Sequence, residues 1–211
     1  MARRGSYAKG IARREEILET ALDVVAQRGY EGTSLKHIAE GVGVSPATLL
    51  HYFDTKEDLF TAIVRKRDER DRLQADMTGD REQLRAGFLR VIAHNAQVPG
   101  LVELFSRLSV DAVQPRHPAH HYFLERNRVL REQLAAALAP DATSAPASGS
   151  NDTAQQDGED VARLIQAAAD GLQLQWMLDP SVDMTALMRR LFDALAPHPA
   201  APPSPARRID E

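Results

Sequence analysis

The chain has 211 residues, 43% of them hydrophobic and 27% charged, enough for one large domain or two small ones sharing a core. It contains no cysteine, which excludes a disulfide framework, a thiolate metal site and a cysteine nucleophile. The net charge of −4 is unevenly spread: Arg3, Arg4, Lys9, Arg13 and Arg14 fall within residues 1–14 without an acid among them, residues 1–56 carry +1, and the remainder carries −5. No apolar run approaches the roughly 18 residues a bilayer-spanning helix needs. The basic N-terminus also lacks the apolar segment of a secretory signal, so a cytoplasmic location is expected.

Strand signals are nearly absent, and apolar residues recur at helical spacing throughout. After a flexible basic arm at 1–10, the first helix is expected from about Ile11 to Arg28, with Ile17, Leu18, Ala21, Leu22 and Val25 on one face. Gly29 stops it. Thr33 or Ser34 starts a second helix carrying Ile38 and Ala39 inward, and Gly43 permits a tight turn. Ser45 is a natural N-cap for a third helix, with Pro46 at the first helical position, where its missing N–H costs nothing. Thr55 starts a fourth, with Asp58 three residues on in a capping-box pattern. Its apolar residues Leu59, Phe60, Ile63 and Val64 lead into KRDERDR, whose alternating signs read as a solvated face.

A second helical unit begins at Asp80. Leu84, Phe88, Val91 and Ile92 mark one helix, and Pro99 opens another bearing Leu101, Val102, Leu104, Phe105 and Leu108. A loop around PRHPAHH leads to a helix with Tyr122, Phe123, Arg126, Leu134 and Leu138. His117, His120 and His121 read as loop or helix-start residues rather than metal ligands, since Pro118 interrupts their spacing and no nearby carboxylate completes a set. Residues 140–159 are almost free of large apolar side chains and read as a loop. Two helices follow, at about 160–178 and 183–196, and a Pro-rich tail at 197–211 closes the chain. No phosphate-binding Gly-rich loop, nucleophile elbow or paired-carboxylate motif is present, so neither an enzyme nor a cofactor or metal site is expected.

Thr33 to Lys56 therefore reads as a helix-turn-helix, whose second helix enters the major groove of DNA. With that module first and a helical unit after it, the chain resembles the TetR family of transcriptional regulators. The match rests on Thr33, the run Ile38–Ser45, Thr48-Leu49, His51-Tyr52-Phe53, Lys56-Glu57 and Leu59. The resemblance implies an all-α fold of about nine helices: a three-helix DNA-binding domain at 11–56 and a larger ligand-binding and dimerisation domain at 57–196. It also implies a homodimer on a palindromic operator, released by a small-molecule effector.

The reading helix contains no Lys or Arg, so base readout falls to Ala47, Thr48 and His51. Ser45, Thr33 and Ser34 could offer polar groups, while Tyr52 and Lys56 would meet phosphates, joined by Arg3, Arg4 and Arg13 from the arm. Leu50 stands where many family members carry a DNA-contacting Tyr. The expected dimer face is Leu164, Ile165, Ala168 and Leu172 with Met184, Leu187, Met188, Leu191 and Phe192, paired as a four-helix interface. The expected effector pocket draws on Phe88, Ile92, Leu104, Phe105, Leu108, Tyr122, Phe123 and Trp176, which favours an apolar ligand. A repressor is the leading reading. A TetR-like activator and a helical small-molecule carrier without specific DNA binding stay open beside it.

Overall fold

The structure, a computed structural model, describes residues 2–75, 80–138 and 151–195, with side chains from 8–75, 80–138 and 156–195. Among these, all regular structure is helical: α1 (Ala2–Arg28), α2 (Leu35–Val42), α3 (Pro46–Tyr52), α4 (Lys56–Ala75), α5 (Arg81–Asn95), α6 (Pro99–Asp111), α7 (His120–Leu138), α8 (Asn151–Leu178) and α9 (Met184–Leu195). The first helix starts at Ala2 rather than near Ile11, so the stretch expected as a flexible arm has helical backbone. No proline interrupts it, and its Ala, Arg and Lys residues are good helix formers. The side chains of Arg3 and Arg4 lie outside the described residues, as do 139–150 and the tail from 196.

Helix ends follow the capping chemistry read from the sequence. Ser34 Oγ accepts from the His37 N–H, and Ser45 Oγ from the Thr48 N–H at 3.1 Å, above a proline in the first turn. Thr55 Oγ1 accepts from the Asp58 N–H and donates to its carboxylate at 2.7 Å. Gly43 takes φ 72°, the left-handed conformation that closes α2, and Val44 N–H returns to Ala39 O at 2.9 Å. One boundary differs: α8 begins at Asn151, so residues 151–159, expected in a loop, extend the helix. No proline interrupts this stretch, and Asp157 and Glu159 are exposed on it.

Two apolar cores stack along the molecule. The first joins Ile17, Leu22 and Val25 of α1 to Ile38 of α2, Leu49 of α3, Leu59, Phe60 and Ile63 of α4, and Leu104, Phe105 and Leu108 of α6. The second joins Leu84, Phe88 and Ile92 of α5 to Leu134 of α7, Ile165 of α8, and Met184, Met188 and Phe192 of α9. Helix α1 meets α6 at unusually close range because Gly100 has no side chain. A Cβ there would lie 2.9 Å from Gly29 Cα and press on the Val25 carbonyl.

Helix α4 belongs to both halves, and here the structure corrects the sequence reading. The KRDERDR run is a solvated face only in part: Glu69, Arg70 and Arg72 are exposed, but Arg67, Asp68 and Asp71 are buried, with Ala75 beyond them. They continue the stripe of Phe60, Ile63 and Val64 at the same helical spacing, so they enter the body between α5, α6 and α7.

Candidate DNA-reading face and internal cavity

The helix-turn-helix is assembled on an apolar stem. Leu49 and Phe53 of the α3 segment are buried against α1, while Val42 and Val44 pack into the angle between α2 and α3. This fixes which side of α3 faces out. Pro46, Ala47, Leu50 and His51 are exposed, Thr48 is half-buried, and Ser45 Oγ lies 2.8 Å from Thr48 Oγ1. The face is therefore a methyl, a leucine and an imidazole beside one hydroxyl pair. Tyr52 is half-buried, packed on the first core and edge-on to His51 at 5.6 Å.

The flanking residues divide. Thr33 is 2% exposed, its hydroxyl donates to Gly29 O at 2.6 Å, and its N–H goes to Tyr30 O. Both donors are used in closing α1, which removes Thr33 from the DNA-facing set. Ser34 spends its oxygen on its own helix. Arg13 pairs with Glu16 at 2.6 Å and also reaches Val42 O, tying α1 to the end of α2. Lys56 holds its ammonium over the rings of Phe60, at 5.0 Å, and Tyr30. Arg14, which the sequence reading left out of the site, places its guanidinium 4.6 Å from the Phe53 ring at the end of α3. Only its position in the acid-free run pointed to it.

In the body, a cavity of about 70 Å³ lies among α4, α5, α6, α7 and α8. Of the eight expected pocket residues, Phe88, Ile92 and Phe105 line it. Leu104, Leu108 and Phe123 are consumed in the first core, where they fix α6 and α7. Tyr122 donates to Asp68, and Trp176 borders an open groove shared with Arg28, Glu103 and Leu178. The expected apolar lining is corrected: Arg67, Asp68, Asp71, Asn95, Arg126, Asp170 and Gln173 all face the cavity.

These polar groups form two linked sets. Asp68 accepts from Arg126 Nε at 2.6 Å and from the Tyr122 hydroxyl, joining α4 to α7. Arg67 donates to Asn95 Oδ1, and Asn95 donates to Gln173 Oε1 at 3.2 Å, joining α4 to α5 and α8. Asp71 lies 3.4 Å from Arg67 Nε and 4.0 Å from His94. Burial pushes the carboxyls of Asp71 and Asp170 above the usual range, against the opposing pull of Arg67 and Arg126 respectively. Burial also raises the Tyr122 hydroxyl, reinforced by the Asp68 charge.

The expected dimer residues also separate. Ile165, Met184, Met188 and Phe192 are buried in the second core, whereas Leu164 and Leu187 are exposed and Ala168, Leu172 and Leu191 half-buried. His120 Nδ1 sits 2.8 Å from Ala112 O, and the Ala119 N–H donates to His117 Nδ1. No metal-holding cluster occurs among the described residues.

Residues 17–63 match the sequence model of the bacterial regulatory proteins of the tetR family. The HTH-type transcriptional regulator RutR of Escherichia coli K12 is 47% identical over 55 residues, 26% of this chain and 26% of RutR. The chain thus spans about a quarter of the length of that relative. The HTH-type transcriptional repressor KstR2 of Mycobacterium tuberculosis is 30% identical over 130 residues, 57% of this chain and 62% of KstR2. Among solved structures, the multidrug binding protein EbrR complexed with imidazole is 26% identical, with a TM-score of 0.61 over 90% of this chain and 93% of EbrR. Head sequence and helix order agree: residues 17–63 are a DNA-binding domain of the tetR type, and the whole chain has the fold of the solved regulators it superposes on.

Proposed function

We propose that this protein is a transcriptional repressor that grips a near-palindromic operator as a homodimer and releases it when a small molecule enters the cavity of the body. The observation that carries the reading is the outward face of α3, where Ala47, Leu50 and His51 stand exposed on a helix held by buried Leu49 and Phe53. Uncharged side chains on a rigid helix suit base-edge contacts, including methyl contact with thymine. The phosphate grip falls to Arg14, Lys56 and the basic start of α1. A single head reads few base pairs, so two heads one helical turn apart are needed. The exposed Leu164 and Leu187, with half-buried Ala168, Leu172 and Leu191, supply an apolar patch on α8 and α9 for the second subunit. RutR and KstR2 carry regulator and repressor in their names, and EbrR is named a multidrug binding protein; all three favour this assignment. No described helix is long and apolar enough to cross a membrane, and we place the protein in the cytoplasm with its DNA.

Release follows from linkage. A ligand that prefers the arrangement of α4 incompatible with DNA lowers operator affinity by its differential affinity for the two states. Because α4 lines the cavity with Arg67, Asp68 and Asp71 and also carries Leu59, Phe60 and Ile63 into the head core, it is the element both sites bias.

The test is a gel shift on genomic fragments with a salt titration. A specific site whose affinity falls steeply with salt supports the reading; binding no tighter than to random DNA sinks it and favours the carrier. Thr48→Ala should relax preference at one base step by about 1–3 kcal/mol. Lys56→Ala should weaken all sites alike and lower the salt slope by about 1. An unchanged slope would assign Lys56 to its aromatic neighbours alone.

A further inference from the structure

We propose that the cavity admits a compact organic cation, its ammonium held by the Asp170 carboxylate and an acceptor oxygen of the same molecule held by Arg67 Nε. The inference rests on the effector reading above and names the chemistry of that ligand.

The charges around the cavity decide the class. Three arginines and three aspartates line it: Arg67, Arg72 and Arg126 against Asp68, Asp71 and Asp170. Arg126 is answered by Asp68 at 2.6 Å, and Arg67 by Asp71 at 3.4 Å. Arg72 is exposed and keeps its water. Asp170 is left over: it accepts no hydrogen bond from any described residue, although it stands on α8 one turn from the buried Gln166 and Gln173. Asp170 is half-buried, and the one cation that pulls on it, Arg126, is already bonded to Asp68, so its carboxylate is free to take a donor from a ligand. Burial holds its carboxyl above the ordinary carboxylate range against the pull of Arg126, and a cation brought beside it would favour the charged form.

The second end of the ligand is set by Arg67. This side chain is 5% exposed, and its Nε is the one deeply buried side-chain polar atom among the described residues without a hydrogen-bond partner. Asp71 neutralises its charge at 3.4 Å without making that bond, so an uncharged acceptor is enough. A carboxylate ligand would satisfy Arg67 but bring its charge to an acid already unpaired. Aromatic walls favour the same sign, since Phe105 already takes the Arg126 guanidinium at 4.6 Å. The size limit follows from the 70 Å³ of space, room for about five water-sized bodies, hence a ligand of a handful of heavy atoms.

Three probes of one length separate the charge types: 4-aminobutan-1-ol, butane-1,4-diol and 4-hydroxybutanoate, titrated into the full chain by calorimetry or ligand-observed NMR. The amino alcohol should bind at least tenfold more tightly than the diol or the acid. Asp170→Asn should erase that preference with the melting temperature retained, and Asp170→Glu should restore part of it. Tighter binding of the acid or the diol, no binding by any probe, or a preference that survives Asp170→Asn would each overturn the proposal. The effector reading is tested apart by Ala169→Leu, which fills the cavity from α8. Operator affinity that ignores both this change and, in the unsubstituted chain, saturating 4-aminobutan-1-ol would remove the effector reading and leave the cation site standing.

Discussion

The head and the body are built from the same kind of element and each has an apolar core, but the body adds a buried polar cluster that the head lacks among the described residues. In the head, α1 to α4 meet through Ile17, Leu22, Ile38, Leu49 and Phe60, every one an apolar side chain with almost no exposure. In the body, α4, α5, α7 and α8 meet around Arg67, Asp68, Asp71, Asn95 and Gln173, all buried. An apolar core is tolerant of everything except lost volume, and it holds α3 in one orientation. A polar centre is stable only while each member keeps its partner, so a group that moves or gains a ligand changes the balance of the whole network. The contrast assigns roles: the head presents, and the body senses.

The largest effects should come from breaking each core in its own terms. Leu49→Ala removes a fully buried side chain under the reading helix and should cost about 2–5 kcal/mol in a denaturant melt. Asp68→Ala leaves Arg126 and the Tyr122 hydroxyl without their acceptor. Loss of a buried ion-pair partner costs about 3–5 kcal/mol, here nearer 3 because the Arg126 side chain keeps 19% of its exposure. The sharper comparison is a paired exchange. Arg67→Met with Asp71→Leu removes two charges together and should leave the melting temperature unchanged or raised. The same double change should abolish any response of operator binding to ligand. A drop as large as that of Asp68→Ala would mean that the polar centre holds the fold together as the apolar one does.

The head was legible because its signals are local. Ser45, Pro46 and Gly43 act within four residues of themselves, and each took the expected cap, first-turn or left-handed position. Thr33 was misread because a hydroxyl at a helix start looks the same whether it faces a phosphate or, as here, the carbonyl of Gly29. The body was legible in outline and wrong at its centre. Arg67, Asp68 and Asp71 keep the spacing of Phe60, Ile63 and Val64, but charge overrode periodicity: Arg67 and Asp71 face each other across one turn, and the Arg126 that answers Asp68 lies 58 positions away on α7. Likewise Leu104, Leu108 and Phe123 have the composition of a pocket wall; only the packing of α6 on α1 commits them to a core.

Smaller effects test the local chemistry of the head. Ser45→Ala removes the oxygen that accepts from the Thr48 N–H, a change worth about 1 kcal/mol of stability. It also frees the Thr48 hydroxyl from its 2.8 Å neighbour. Operator affinity should fall by more than the stability loss implies if that hydroxyl is aimed by Ser45. A fall no greater than that of a distant cap, such as Asp80→Ala on α5, would leave Ser45 with a purely structural part.

The smallest effect concerns pH, and its sign distinguishes the body from an ordinary acidic protein. Carboxylates paired on a surface are usually depressed, and stability is then lost on acidification. Asp71 and Asp170 are raised, chiefly by burial. For such a group the unfolded chain releases its proton first, near pH 4, while the folded chain still holds it. Between those two values the folded state binds more protons than the unfolded one, so stability falls as pH rises through the window and is regained on acidifying back towards pH 4. Urea melts between pH 4 and pH 7 should therefore show a component that weakens with rising pH. Asp170→Asn should remove its share of that slope, whereas Glu125→Gln, at an exposed carboxyl held low by Arg128, should shift stability the other way. A slope untouched by Asp170→Asn would place that carboxyl in water rather than against the cavity, and would dissolve the distinction between a silent head and a sensing body at this residue.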